Sequence, residues 1–192
     1  MELKWRLAFS IFIFGAIVAW INSALPFAAG DQPKVVQTKL FMSKDGVHPG
    51  ETVALALKLA IAPGWHINAP EQVDIFLIPC SFEVSESSEY RLIDKYYPPA
   101  ERGKFSFSEN ELAFYAGEIY LGVLLEISAR AKPGKIKINS SFTYQACDDR
   151  SCLPPETILL EVEIDVVPFE KSTKEINSEI FAHMNFKKGK EI

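Results

Sequence analysis

Cysteine is scarce in this 192-residue chain, with three in all, so a small disulfide-stapled scaffold is excluded and the fold must rest on an apolar core. Histidine is equally sparse at three. No glycine-rich phosphate loop, no ordered serine, histidine and acid set and no paired catalytic carboxylates can be recognised. Basic stripes are missing as well. With 20 Lys and Arg against 25 Asp and Glu, the formal charge is −5, which argues against nucleic acid as a partner. Internal repeats and low-complexity tracts are absent. Hydrophobic residues at 48% and charged residues at 23% are ordinary for one globular domain.

The amino terminus has the parts of an export signal. Lys4 and Arg6 form a short positive region, and Leu7 to Ile21 is uncharged and strongly apolar. Small residues at Ala28 and Gly30 suit cleavage before Asp31, with Asn22-Ser23-Ala24 as a second candidate. The uncharged stretch from Leu7 to Gly30 is also long enough to serve as a retained membrane anchor. Either way, the body is expected outside the cytoplasm, where a disulfide is chemically permitted. Residues 1–30 are thus read as a signal or anchor, 31–170 as the folded domain, and 171–192 as a terminal helix with a basic tail.

Beyond the leader, short apolar runs are punctuated by turn residues. Strands are expected at Val35–Met42, Thr52–Ile61, Ile75–Ile78, Ser81–Val84, Tyr90–Tyr96, Glu118–Ala131, Lys135–Ala146 and Thr157–Val167. In Thr52–Ile61, Val53, Leu55, Leu57, Leu59 and Ile61 alternate with smaller or polar residues, the mark of a strand with one face on a core. Such spacing without a strong helix predicts an all-β, immunoglobulin-like antiparallel β-sandwich. Pro98 to Gly117 reads as a long connection rich in Glu, Ser and aromatics (Phe105, Phe107, Phe114, Tyr115), and such loops are commonly functional or disordered. Ser172 to Met184 reads as a short C-terminal helix, because Ser172 and Glu175 have capping-box spacing.

Chemistry concentrates at Tyr144-Gln-Ala-Cys-Asp-Asp-Arg-Ser-Cys-Leu-Pro-Pro-Glu156. Cys147 and Cys152 lie between two apolar β-rich runs, as at a hairpin tip. Opposed there, their Cα atoms would stand about 4.5–5.5 Å apart, within bonding reach. Residue by residue, this pair could be a static clip or a redox centre. Exchange requires a thiolate, and Asp148 and Asp149 outweigh Arg150 in favouring the protonated thiol. A pair in this setting is expected to be slow with arbitrary disulfides and to depend on its partner's reactivity. Cys80, in an apolar strand region, reads as a packed small hydrophobe. His66 with the two cysteines could hold zinc or copper, but no further ligand stands at motif spacing, so it reads as a turn residue and no metal or cofactor is expected.

Three pieces occur in order: Pro63-Gly-Trp-His-Ile-Asn68, Phe114-Tyr-Ala-Gly-Glu-Ile-Tyr120, and the cysteine segment through Pro154-Pro155-Glu156. Together they resemble the amino-terminal periplasmic domain of the thiol:disulfide interchange protein DsbD family, from about Val35 to Val167. The resemblance implies an immunoglobulin-like sandwich in which Cys147 and Cys152 are the catalytic redox pair. It places Phe114 and Tyr115 in an aromatic cap loop, with Trp65 and His66 beside them at the partner-binding surface. Cys152 would form mixed disulfides. Implied partners are a membrane electron-transfer protein of the DsbD or CcdA type and periplasmic thioredoxin-fold proteins, including cytochrome c biogenesis reductases.

Departures from the family pattern are visible. Full-length members continue into a membrane domain and a thioredoxin-like domain that this sequence does not contain, so a separate electron donor is expected. Four residues separate the cysteines where some relatives have five. Leu112 and Ala113 stand where an acidic residue is often found, leaving Glu111 as the nearest carboxylate. The other function considered is a non-catalytic immunoglobulin-like binding module with a structural disulfide.

Overall fold

The structure, a computed structural model, describes residues 34–71 and 75–186. Both readings of the leader, and the basic tail at Lys187, Lys188 and Lys190, lie outside the described residues. Eleven strands and one short helix are present among those described. They are β1 (Val36–Met42), β2 (Thr52–Ile61), β3 (His66–Asn68), β4 (Ser81–Val84), β5 (Tyr90–Tyr96), β6 (Glu101–Gly103), β7 (Leu112–Tyr115), β8 (Glu118–Ile127), β9 (Gly134–Tyr144), β10 (Ala146–Cys147), β11 (Glu156–Val166) and α1 (Ser178–Phe181).

Two sheets supply most of the core. One has the order β1-β2-β8-β5 and the other β11-β9-β4, with every ladder antiparallel. Period-two alternation sets their inner faces. Leu55, Leu57 and Leu59 of β2 and Leu121, Val123 and Leu125 of β8 share one buried cluster with Ile136, Ile138 and Phe142 of β9. Fully burying a Leu, Ile or Phe contributes about 1.5–3 kcal/mol, so this cluster is the main source of stability. The all-β sandwich expected from the alternation is what forms.

A third sheet, β10-β3-β7-β6, is built from two- to four-residue strands. Strands β6 and β7 fall inside the stretch expected to be a plain connection. The loop between them, residues 104–111, carries Phe105 and Phe107. Tyr115 faces inward at 2% exposure and donates its hydroxyl to Pro98 O at 2.7 Å.

Three expected elements differ. Ile75–Ile78 is not a strand. The backbone of Ile78 is engaged by side chains, donating N–H to Gln145 Oε1 at 2.9 Å while its carbonyl accepts from Asn68 Nδ2 at 3.2 Å. Ile75 and Phe76 stand exposed in a turn. The strand expected to run on to Ala131 stops at Ile127, where Ser128 begins a turn closed by Ala131 N–H to Ser128 O at 2.9 Å. The helix expected over Ser172–Met184 shrinks to Ser178–Phe181, because the residues before it are held extended. Glu175 bridges to Lys44, Ile176 N–H donates to Ser43 O at 2.9 Å, and Asn177 donates its side-chain amide to Met42 O at 2.9 Å. The capping box therefore does not form, and Asn177 enters α1 in the left-handed region at φ 54°. The outer face of the β2–β8 pair carries the small residues Ala54, Ala56 and Gly122. A Cβ on Gly122 would come within 2.8 Å of Met184 Sδ and 2.9 Å of Phe186 Cζ, so the terminal segment lies close against that face.

Candidate functional site

The β9–β11 ladder ends at the pair Tyr144 and Glu156, tied by the Tyr144 hydroxyl donating to Glu156 at 2.6 Å. Beyond it the chain does not continue as a simple hairpin. At Gln145 it leaves the long sheet, and Ala146–Cys147 pairs with β3 in the small one. Cys147 lies opposite His66 on one side and opposite Cys152 on the other. Directly opposed residues project to the same face, so His66, Cys147 and Cys152 form a row across three neighbouring segments. The two cysteines are disulfide-bonded, with Cα atoms 4.0 Å apart.

The loop between them is a tight turn of its own making. Asp148 Oδ1 accepts the N–H groups of Arg150 at 2.8 Å and Ser151 at 2.7 Å, and Asp148 N–H donates to Ser151 O at 2.9 Å. Those backbone donors hold the Asp148 carboxyl below the usual range, so it is charged at neutral pH. Negative charge therefore stands on the turn that links the two cysteines. Gln145 locks the base of the turn. Its Nε2 donates to Leu153 O at 3.2 Å, while its Oε1 accepts from Ile78 N–H and from Asn68 Nδ2 at 3.3 Å.

Accessibility differs between the two sulfur-bearing residues. Cys147 is wholly buried, whereas Cys152 is half-buried. Above the row lies an aromatic cluster. Phe105 stacks on His66 with ring centroids 4.1 Å apart, and Phe107 stacks on Phe105 at 5.5 Å. Phe114 meets His66 edge-on at 5.3 Å and Phe105 at 5.2 Å. The loop is tied to the cysteine turn by Ser106 Oγ donating to Asp149 O at 2.6 Å.

The residues singled out from sequence thus fall in different places. Cys147, Cys152, His66 and Phe114 are brought together. Phe114 itself sits on β7, flanking the loop, and Tyr115 is buried below the site. Trp65 is half-buried and packs against the core cluster. Phe105 and Phe107, visible earlier only as aromatics in a loop, stack over His66, and Gln145 was not singled out. Cys80 is a buried free thiol pushed up to about 12 by burial, next to the site's scaffold through its N–H bond to Asn68 O at 2.9 Å.

His66 is unusual among the described residues. It is 4% exposed, and its Nε2 has no hydrogen-bond partner. Leaving such an atom unsatisfied costs about 1–3 kcal/mol. Burial pushes the imidazole below its ordinary value, against the opposing pull of Asp149 and Asp148, so the ring is neutral at pH 7. Among the described residues, Asn68 Oδ1, on the same strand, is the other buried side-chain polar atom without a partner. No group of three or more His, Cys, Asp or Glu that could hold a metal occurs among the described residues.

Residues 34–164 match the family described as thiol:disulfide interchange protein DsbD, N-terminal. The chain belongs to that family. The matched segment carries the bonded pair Cys147 and Cys152. Among solved structures, it is similar to the N-terminal periplasmic domain of ScsB from Proteus mirabilis, at 14% identity and a TM-score of 0.43, over 68% of this chain and 45% of that one. The chain therefore spans less than half the length of that relative. It is also similar to the Neisseria meningitidis DsbD N-terminal domain in the reduced form, at 15% identity and a TM-score of 0.36, over 70% of this chain and 89% of that one. No curated protein matches. Among the described residues no helix is long and apolar enough to cross a membrane.

Proposed function

We propose that this DsbD-type domain is an exported electron relay, taking electrons from a membrane thiol–disulfide transporter and passing them to thioredoxin-fold clients in the periplasm. The observation that carries the reading is the unequal burial of a bonded pair whose turn is tied, through Asp149, to an aromatic loop stacked on the neighbouring His66. Cys152 is half-buried and Cys147 wholly buried. In the reduced domain, the Cys152 thiolate attacks a client disulfide, forming a mixed disulfide and releasing one client thiolate. Cys147 then attacks Cys152 Sγ, closing the internal disulfide and releasing the second. Two electrons leave the domain for each bond reduced in the client. The membrane donor returns them by the same exchange in reverse. In this reading residues 1–30 direct export, as signal or anchor, 31–170 form the exchange domain, and the remainder is an accessory tail. Cytochrome c biogenesis reductases are among the clients such a relay would serve.

A glutathione redox titration of the chain tests this directly. The relay requires a potential in the range of exchange proteins, whereas structural disulfides typically lie below about −300 mV. A Cys147→Ala variant should then accumulate mixed disulfides with thioredoxin-fold partners through Cys152. A bond that resists reduction until the domain unfolds would instead make this a binding module with a structural clip.

A further inference from the structure

We propose that His66 is the general base of the resolving step, accepting the Cys147 thiol proton through Nε2 as Cys147 attacks the mixed disulfide at Cys152. This inference rests on the pair being an exchange pair. Three observations converge on it. Cys147 and His66 are directly opposed in the β10–β3 ladder, which puts their Cβ atoms about 4.5–5.5 Å apart on one face. His66 Nε2 is buried and has no hydrogen-bond partner in the disulfide form. Reduction gives Cys147 an S–H donor on the same face of the ladder as that atom. Phe105 stacks on the ring at 4.1 Å, with Phe107 stacked on Phe105, so in the disulfide form one face of the imidazole is covered.

The chemistry also needs such a group. Cys147 is wholly buried in the disulfide form, and a buried thiol resists ionisation unless a base stands near it. The charged groups acting on the imidazole are the carboxylates of Asp149 and Asp148, which favour its protonated form once a proton arrives. The starting ring is neutral because it is buried, so it is free to accept. In the step, the Cys147 S–H bond breaks and its proton passes to Nε2. The sulfur electron pair forms the bond to Cys152 Sγ, and the Cys152–client bond breaks with its pair leaving on the client sulfur. The imidazolium then gives its proton to the departing thiolate or to water as the cap opens.

Oxidised glutathione serves as the model disulfide. The reduced chain is mixed with it, quenched in acid at intervals, and the glutathionyl adduct is followed by mass. Formation of the adduct reports Cys152, and its loss reports Cys147. In His66→Gln, loss at pH 7 should slow by about 10²-fold, the usual lower range for a positioned base, while formation, which a loosened loop can only speed, does not slow. The variant's rate should then climb about tenfold per pH unit towards the thiol's own range, whereas the unsubstituted chain levels off at lower pH. Equal loss rates and profiles in the two proteins would overturn the assignment. Should the variant fail to fold, ¹⁵N-histidine spectra of the unsubstituted chain decide. The His66 Nε2 resonance should move on reduction as it accepts the new hydrogen bond, and an unmoved resonance would overturn the assignment. An unsubstituted chain that forms no adduct and resists dithiothreitol would sink the exchange reading itself; normal exchange with a silent His66 sinks only the base.

Discussion

Truncating Phe105 to alanine should accelerate reduction of the Cys147–Cys152 bond. The ring has three aromatic neighbours, His66, Phe107 and Phe114, at centroid distances of 4.1, 5.5 and 5.2 Å. Each such pair contributes about 0.5–1.5 kcal/mol beyond area burial. Allowing for partial exposure and non-additivity, the closed loop should lose about 2 kcal/mol. At 1.4 kcal/mol per decade, that raises the open population by about 30-fold. If reductant reaches the disulfide through the open loop, the rate should rise by a similar factor. Pseudo-first-order reduction by dithiothreitol, quenched by alkylation and read by mass, measures it. Phe105 is outside the buried core cluster, so the urea midpoint should move far less than the reduction rate. An unchanged or slower rate would refute the gating argument, since the loop would then not limit access. A rate that rises only in step with lost global stability would refute it equally, by assigning access to unfolding.

Gln145→Ala removes the acceptor for Ile78 N–H and the donor to Leu153 O, so unfolding in urea should show a loss of about 1–3 kcal/mol with an unchanged slope. His66 and His48 should bend the pH–stability curve in opposite senses. His66 is pushed below the ordinary imidazole value of 6.5 by burial, so the unfolded chain binds its proton first, and stability falls as pH drops from 6.5 towards the folded value. His48 is raised, by the Lys171 carbonyl accepting at 2.9 Å and by Glu51 at 3.2 Å, so its contribution is full below 6.5 and is lost as pH rises through the folded value. Urea midpoints across pH 5 to 8.5 should therefore show His66→Phe flattening the acid limb and His48→Gln the neutral-to-alkaline one.

Much of the sandwich was legible because alternation is a local signal. The pattern through Val53 to Ile61 dictates its own inner face, and β2 spans the residues that carry it. What escaped depended on distant partners. Ile75 to Ile78 is as apolar as any strand, but Gln145 and Asn68 take the backbone groups of Ile78 that a ladder would need. Strands β6 and β7 are too short to show a period. Ser172 and Glu175 have the spacing of a cap, yet the β1–β2 turn competes for the same stretch and keeps it extended. The cysteines were visible as a pair at bondable spacing. Their neighbour His66 was visible only as part of a motif, because the β10–β3 pairing joins segments far apart in the chain. Nor does local sequence say which of four aromatics in one connection stacks on that ring.

Strand assignment also bears on how the site can work. Both cysteines lie beyond the end of the long β9–β11 ladder: Cys147 is on a two-residue strand belonging to the small sheet, and Cys152 meets it through an isolated bridge. Side-chain bonds from Gln145 and Asn68 tie that sheet to the rest, and the loop over the pair is held by ring contacts and by Ser106 on Asp149. Side-chain ties and ring stacks can be released one at a time, whereas a strand interior to a ladder opens only with its neighbours. Opening of the loop and of the disulfide should then proceed without disturbing the Leu, Ile and Val core beneath. A rigid core would be compatible with a loop that opens at the site, because Gln145 moves the chain from one sheet into the other before the first cysteine.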